Sequence, residues 1–216
     1  MTAAELIAAL QANANPANVA GMARFGINPN GTLGVSVAEI RKLARRAGRS
    51  HALAFELWDS GIHEARILAT IVDDPACVTR SQMDHWAKDF DSWDVCDQAC
   101  QNLFHRTAHA WDMAVKWARA KPEFVRRAGF SLMACFAWKD KGSSDERFEA
   151  LLPLISAAAT DERNFVKKAV NWALRGIGKR NSKLRRSAIA TAREIAKLES
   201  RAARWIAADA LRELQS

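Results

Sequence analysis

An all-α chain is what this sequence predicts, and three observations predict it. Apolar residues recur with a helical rather than an alternating period, β-branched runs are scarce, and alanine is abundant. A sheet needs period-2 alternation or short β-branched runs, so it has nowhere to form.

Taken in order, the helices announce themselves by their ends. Ser36 before Val-Ala-Glu-Ile, Ser50 before His-Ala-Leu-Ala, Thr79 before Arg-Ser-Gln-Met and Ser92 before Trp-Asp-Val-Cys each place a hydroxyl where the first orphan N–H groups of a helix need an acceptor. Breaks fall at Gly48, Ser60-Gly61, Asp74-Pro75, Asp89 to Asp91, Lys121-Pro122, Lys141-Gly142, Thr160-Asp161 and Gly178 to Asn181. This punctuation predicts about ten helices of roughly 10–17 residues joined by short turns.

The helices also repeat. Phe124-Val-Arg-Arg-Ala128 recurs as Phe165-Val-Lys-Lys-Ala169, 41 residues later, and Ala203-Arg-Trp-Ile-Ala207 and Glu64-Ala-Arg-Ile-Leu68 read as further copies. A period near 40 with two helices per unit predicts an α-solenoid of HEAT-like helical repeats, a single domain over residues 1–216 with a concave basic groove. A generic helical bundle is the alternative. Either way, the repeated basic pair beside an apolar stripe puts positive charge along one side.

With 216 residues, 49% of them hydrophobic, the chain can bury a sizeable core. No 18 apolar residues run together, and the first ten residues lack the basic region and cleavage site of a signal peptide, so a cytoplasmic protein without membrane contact is expected. Cys77, Cys96, Cys100 and Cys135 fall on segments read as helices and are expected to be buried thiols without disulfides.

The net charge of +8 is unevenly placed: residues 1–100 carry 9 Lys/Arg against 12 Asp/Glu, and residues 101–216 carry 23 against 12. Between positions 163 and 186 lie nine bases and no acid: Arg163, Lys167, Lys168, Arg175, Lys179, Arg180, Lys183, Arg185 and Arg186. Such a run suits the phosphates of DNA, since each Lys or Arg set against the backbone releases condensed counterions without reading sequence. A solvated helix face is the other reading, but it would normally be neutralised by interspersed acids.

An opposite cluster occupies residues 84–97, where Asp84, Asp89, Asp91, Asp94 and Asp97 surround a single base, Lys88. Asp89 and Asp91 suit a turn, and Asp94 suits the first turn of a helix. Asp97 has no such explanation. On the helix after Ser92 the core stripe falls on Cys96, Cys100, Leu103 and Phe104, so Asp97 borders it one turn beyond Trp93 and shares with it a rim position. An indole beside a carboxylate is a trap for a cation.

Other constellations are weaker. Cys96, Cys100, His105 and His109 pair at i+4, but a regular helix would bury both thiols, and no metal is expected. His51, His63 and His85 have no nucleophile or acid at an interpretable spacing. Trp58, Trp86, Trp111, Trp117, Trp138 and Trp205 read as packing residues. Nucleotide-binding glycine motifs are absent and no cofactor is expected.

The run Ser92-Trp-Asp-Val-Cys-Asp97, then Phe124-Val-Arg-Arg-Ala128, then Asn164-Phe-Val-Lys-Lys-Ala-Val-Asn-Trp-Ala-Leu-Arg175 resembles the AlkD family of DNA alkylation repair glycosylases, as does Met22-Ala-Arg-Phe25 near the N-terminus. The resemblance implies metal-free hydrolysis of the glycosidic bond of N3- and N7-alkylated purines in double-stranded DNA, by a monomer needing no protein partner. It implies Asp97 as the catalytic carboxylate, Trp93 and Trp172 as aromatic walls against the lesion deoxyribose, and Arg127 as a cationic clamp on the backbone. Phe25 and Arg126 join the basic run as DNA contacts. Phe25 departs from the tyrosine common in the family, and the chain has no tyrosine at all. Two other functions stay open: an inactive relative that recognises unusual DNA structures, and a scaffold that binds an acidic protein segment.

Overall fold

The computed structural model describes residues 1–216 and is helical throughout, without strands. By contact density the chain divides into two compact units, Met1–Ala108 and His109–Ser216. The first holds α1 (Ala3–Ala12), α2 (Pro16–Arg24), α3 (Val37–Ala47), α4 (His51–Asp59), α5 (His63–Val72), α6 (Arg80–Lys88) and α7 (Trp93–Asn102), closed by a 3₁₀ turn at Phe104–Arg106. The second holds α8 (Ala110–Trp117), α9 (Glu123–Lys139), α10 (Asp145–Glu149), α11 (Leu152–Ala158), α12 (Asn164–Gly178), α13 (Ser182–Ala196) and α14 (Arg201–Gln215).

Ser36, Ser50 and Thr79 cap α3, α4 and α6 as expected, each hydroxyl accepting the N–H three residues on. Ser92 precedes α7 but does not cap it in that way. Its hydroxyl accepts the backbone N–H of Asn28 at 2.9 Å, so it ties the N-terminal segment to the start of α7. The helices are more numerous and several are shorter than expected; at Ala150-Leu151, for example, Pro153 in the first turn of α11 cannot donate back to α10, and one amphipathic run is divided in two.

In the first unit the Trp58 and Trp86 rings stack with centroids 4.1 Å apart and planes 2° from parallel, with Phe90 edge-on to Trp58. Such pairs add about 0.5–1.5 kcal/mol beyond the area they bury. Cys96, Cys100, Leu103 and Phe104 are wholly buried, as the stripe on α7 requires, although the regular helix stops at Asn102. In the second unit α9 is the central element, with Ala128 to Ala137 buried without interruption. Gly129 sits where a Cβ would lie 2.4 Å from the Ala118 nitrogen, so only glycine lets α8 approach α9.

Three expectations need correction. Trp138 and Trp205 are 66% and 40% exposed rather than packed, because each falls on the solvent side of its helix. Cys77 is exposed in the turn ahead of α6, whose start is set by the Thr79 cap.

The most tightly held polar group is Glu64, 1% exposed, whose carboxylate accepts the backbone N–H groups of Leu33, Gly34 and Val35 at 2.6–3.1 Å. Gly34 has φ +79°, and a Cβ there would meet the Asn15 carbonyl, so the loop reaches the carboxylate only as glycine. Glu64→Gln removes the charge from these bonds and should cost about 2 kcal/mol, read from urea unfolding; unchanged stability would show that the anchor is redundant.

His63, also buried, bonds through Nε2 to Asp94 at 2.8 Å. Burial alone would lower its pKa, but the hydrogen bond and the charges of Asp94, Glu64 and Asp91 outweigh burial and raise it above the ordinary 6.5. The stabilisation is therefore fully present below the unfolded value and is lost as pH rises through the raised folded value. Urea midpoints over that alkaline approach should fall for the native protein and stay flatter for His63→Gln; parallel profiles would rule His63 out as the source.

Candidate nucleic-acid interface

In the first unit three of the residues named from sequence come together. Trp93, the first residue of α7, is half-buried, and its indole N–H donates to the Phe25 carbonyl at 3.1 Å. Phe25 follows α2 with its residue surface 75% exposed. Its contribution to Trp93 is thus made by backbone, and the missing tyrosine hydroxyl does not affect it. Asp97, one turn after Trp93, is only 7% exposed, which places it further into the protein than the rim position expected of it. A carboxylate so removed from water acts at a lower effective dielectric and more strongly on a nearby cation.

In the second unit Arg127 is 5% exposed on α9 and donates to the Phe165 carbonyl at 2.7 Å, linking the two copies of the repeated motif. The rings of Phe124 and Phe165 meet at 5.5 Å beside it. Trp172 is half-buried on α12 and, with Lys179 and Arg180, lines a pocket of that unit.

The basic run behaves differently from its linear appearance. Arg163 is bidentate to Asp161, whose other cationic partner is Arg126 at 3.1 Å. Burial would raise the Asp161 pKa, but the Arg163 hydrogen bonds and the two guanidinium charges hold it below the usual range. Arg175 and Lys179 share Glu213, and Asp209 also faces Arg175. Lys183 bonds to Glu146 at 2.8 Å, with Glu149 3.8 Å away. Arg180 donates to the carbonyls of Phe136, Ala137 and Asp140 and lies over the Phe148 ring at 3.8 Å. Lys167 sits over the Trp205 ring at 5.0 Å. Only Lys168, Arg185 and Arg186 are exposed and bonded to no acid or ring.

Sequence reading missed a second set of bases. Arg41, Arg45 and Arg49 line one shallow pocket with Gly48 in the first unit. Their spacing of four residues was a usable sign, hidden by the excess of acids in that half of the chain.

If the exposed bases contact phosphate, Arg185→Ala/Arg186→Ala should weaken duplex DNA binding at every sequence and flatten the slope of log K against log salt by about 2. Arg180→Ala should instead lower the unfolding temperature. An unaltered salt slope in the double variant would exclude these two arginines from the interface.

Among solved structures, a protein described as one of a new family related to the HEAT-like repeat DNA glycosylases, with affinity for branched DNA structures, matches at a TM-score of 0.82. The match covers 98% of this chain and 95% of that one at 20% identity, which establishes a shared all-α HEAT-like fold. None of the curated proteins compared matches the sequence. The family described as DNA alkylation repair enzyme matches residues 6–214, and this chain belongs to that family.

Proposed function

We propose that this protein is a DNA glycosylase that hydrolyses the glycosidic bond of cationic N3- and N7-alkylated purines in duplex DNA. The observation that carries the reading is the Trp93–Asp97 pair: a carboxylate only 7% exposed, one helical turn from an indole whose N–H is fixed by the Phe25 carbonyl. Membership of a DNA alkylation repair family supports it.

An alkylated purine of this kind already bears a positive charge, so its bond to the sugar is weak and little acid catalysis is needed. When the bond from C1′ to the base nitrogen breaks, its electron pair leaves with the base, which becomes neutral. The positive charge passes to the sugar as an oxocarbenium ion. Asp97 faces that charge, and at about 4 Å with an effective dielectric near 20 the attraction is worth about 4 kcal/mol. A water oriented by the same carboxylate then adds to C1′, and its surplus proton leaves through Asp97 to solvent. Trp93, one turn before Asp97, forms a wall against the deoxyribose, while Arg127, buried and bonded to the Phe165 carbonyl, keeps a structural place in the second unit.

A second reading is DNA binding without excision, and the described affinity of the structural relative for branched DNA favours it. Asp97→Asn separates the two. It keeps the shape of the side chain and removes its charge, so single-turnover release of 7-methylguanine should slow about 10²–10³-fold while affinity for undamaged duplex holds or rises. Uracil, a neutral leaving base, should not be released by either form. Wild-type excision by a folded Asp97→Asn protein would remove the carboxylate from the mechanism, and no excision by the native protein would leave the binding reading.

A further inference from the structure

The C-terminal parts of α9 and α12, with the residues just after them, enclose a pocket of about 380 Å³. Two indoles line it, Trp138 from α9 and Trp172 from α12. Ala134, Ala137 and Gly176 line it as small residues, and a Cβ on Gly176 would come within 3.2 Å of the Ala137 Cβ, so glycine lets α12 lie close against α9 there. Trp138 is 66% exposed, and the Lys139 ammonium lies 5.3 Å from its ring. An indole so open to water buries little of its surface on folding, and the ring is accessible to a ligand that stacks on it in competition with the exposed Lys139 ammonium.

Charge at the mouth narrows the occupant. Arg175 and Lys179 are balanced by Glu213 and Asp209, while Arg180 is held by main-chain carbonyls. Lys141, exposed at the rim, pairs with no carboxylate. A cationic alkylpurine is disfavoured beside this ammonium and Arg180. A neutral base joined to an anionic phosphate meets both features, stacking on the indole and pairing with the amine.

We propose that the Trp138–Trp172 pocket holds an undamaged, unpaired nucleotide of DNA, with the base against Trp138 and its phosphate at Lys141. A base in an intact duplex keeps its faces covered by its neighbours, so the pocket selects DNA in which pairing and stacking are interrupted. The inference rests on the reading that the protein binds DNA.

Binding can be followed by anisotropy with two labelled duplexes of one sequence, one perfect and one carrying a short run of unpaired thymidines, and with a single-stranded oligothymidylate. The native protein should prefer the interrupted duplex about tenfold. Trp138→Ala and Lys141→Glu should each abolish that preference, and Trp138→Phe, which keeps a stacking face, should largely retain it. Trp138→Ala should leave affinity for the perfect duplex within about twofold. Circular dichroism confirms folding, which the exposure of Trp138 favours. Equal binding of both duplexes by the native protein, or an unchanged preference in Trp138→Ala, overturns the pocket assignment while duplex binding stands. Failure to bind any of the three DNAs overturns the DNA reading and the pocket together.

Discussion

Stacked helices have no strand ladder to fix their register, and apolar faces tolerate sliding in a way that directional bonds do not. Here the register is fixed by polar side chains that reach a position about one repeat away. In the first unit the offset is 31 residues for Leu33–Glu64, Trp58–Asp89 and His63–Asp94. In the second it is 38 for Arg127–Phe165, Asn171–Asp209 and Arg175–Glu213. Each bond is worth only about 1 kcal/mol net, somewhat more where a charge takes part, but breaking one at Glu64, Trp58, His63, Arg127 or Asn171 leaves a buried group unsatisfied. A shift of one residue would break several together, so these bonds specify one arrangement of helices whose apolar faces alone would accept more than one.

Positioning of the candidate carboxylate follows from that constraint. Glu64 gathers the loop at Leu33 to Val35, Ser92 and Asp91 hold Asn28 at 2.9 and 2.8 Å, and three residues before Asn28 the chain delivers the Phe25 carbonyl to the Trp93 indole. Every group in this sequence is fixed by a neighbour that is itself bonded. The indole is therefore oriented by the protein itself, and a group held in this way need not reorganise when a ligand binds beside it.

The fold was legible in the sequence because its determinants are local. Ser36, Ser50 and Thr79 cap the helices they precede, and the buried stripe of α7 falls on the residues that helical spacing chose. The repeated Phe-Val-Arg-Arg and Phe-Val-Lys-Lys motifs were visible as letters, and their meeting through Arg127 and Phe165 gives that repeat a physical basis. What escaped depends on the third dimension. Spacing alone could not decide that Trp138 lies in solvent, or that Asp97 lies below the rim. Ser92 was legible as a helix start, but its partner, Asn28, stands 64 residues away, beyond any local pattern.

The basic run shows the same limit in electrostatic form. The absence of acids between residues 163 and 186 made it look like an undiluted phosphate surface, yet Asp161 meets it from just upstream, and Glu146, Glu149, Asp209 and Glu213 reach it from 34 to 38 residues away in sequence. In a repeat protein the nearest charge in space is often one period away in sequence, so linear charge density overstates the field. The pairs are not equivalent. Lys183 and Glu146 are both open to solvent, where an ion pair contributes little and phosphate can take the place of the carboxylate. Arg163 and Asp161 are more enclosed, and Arg180 is bonded to three carbonyls, so taking them for DNA would unmake part of the fold. The cations divide accordingly into those that hold the helices together and those that can be offered to a ligand without loss of structure. Lys168, Arg185 and Arg186 belong to the second kind, and so does Lys141 beside the exposed Trp138.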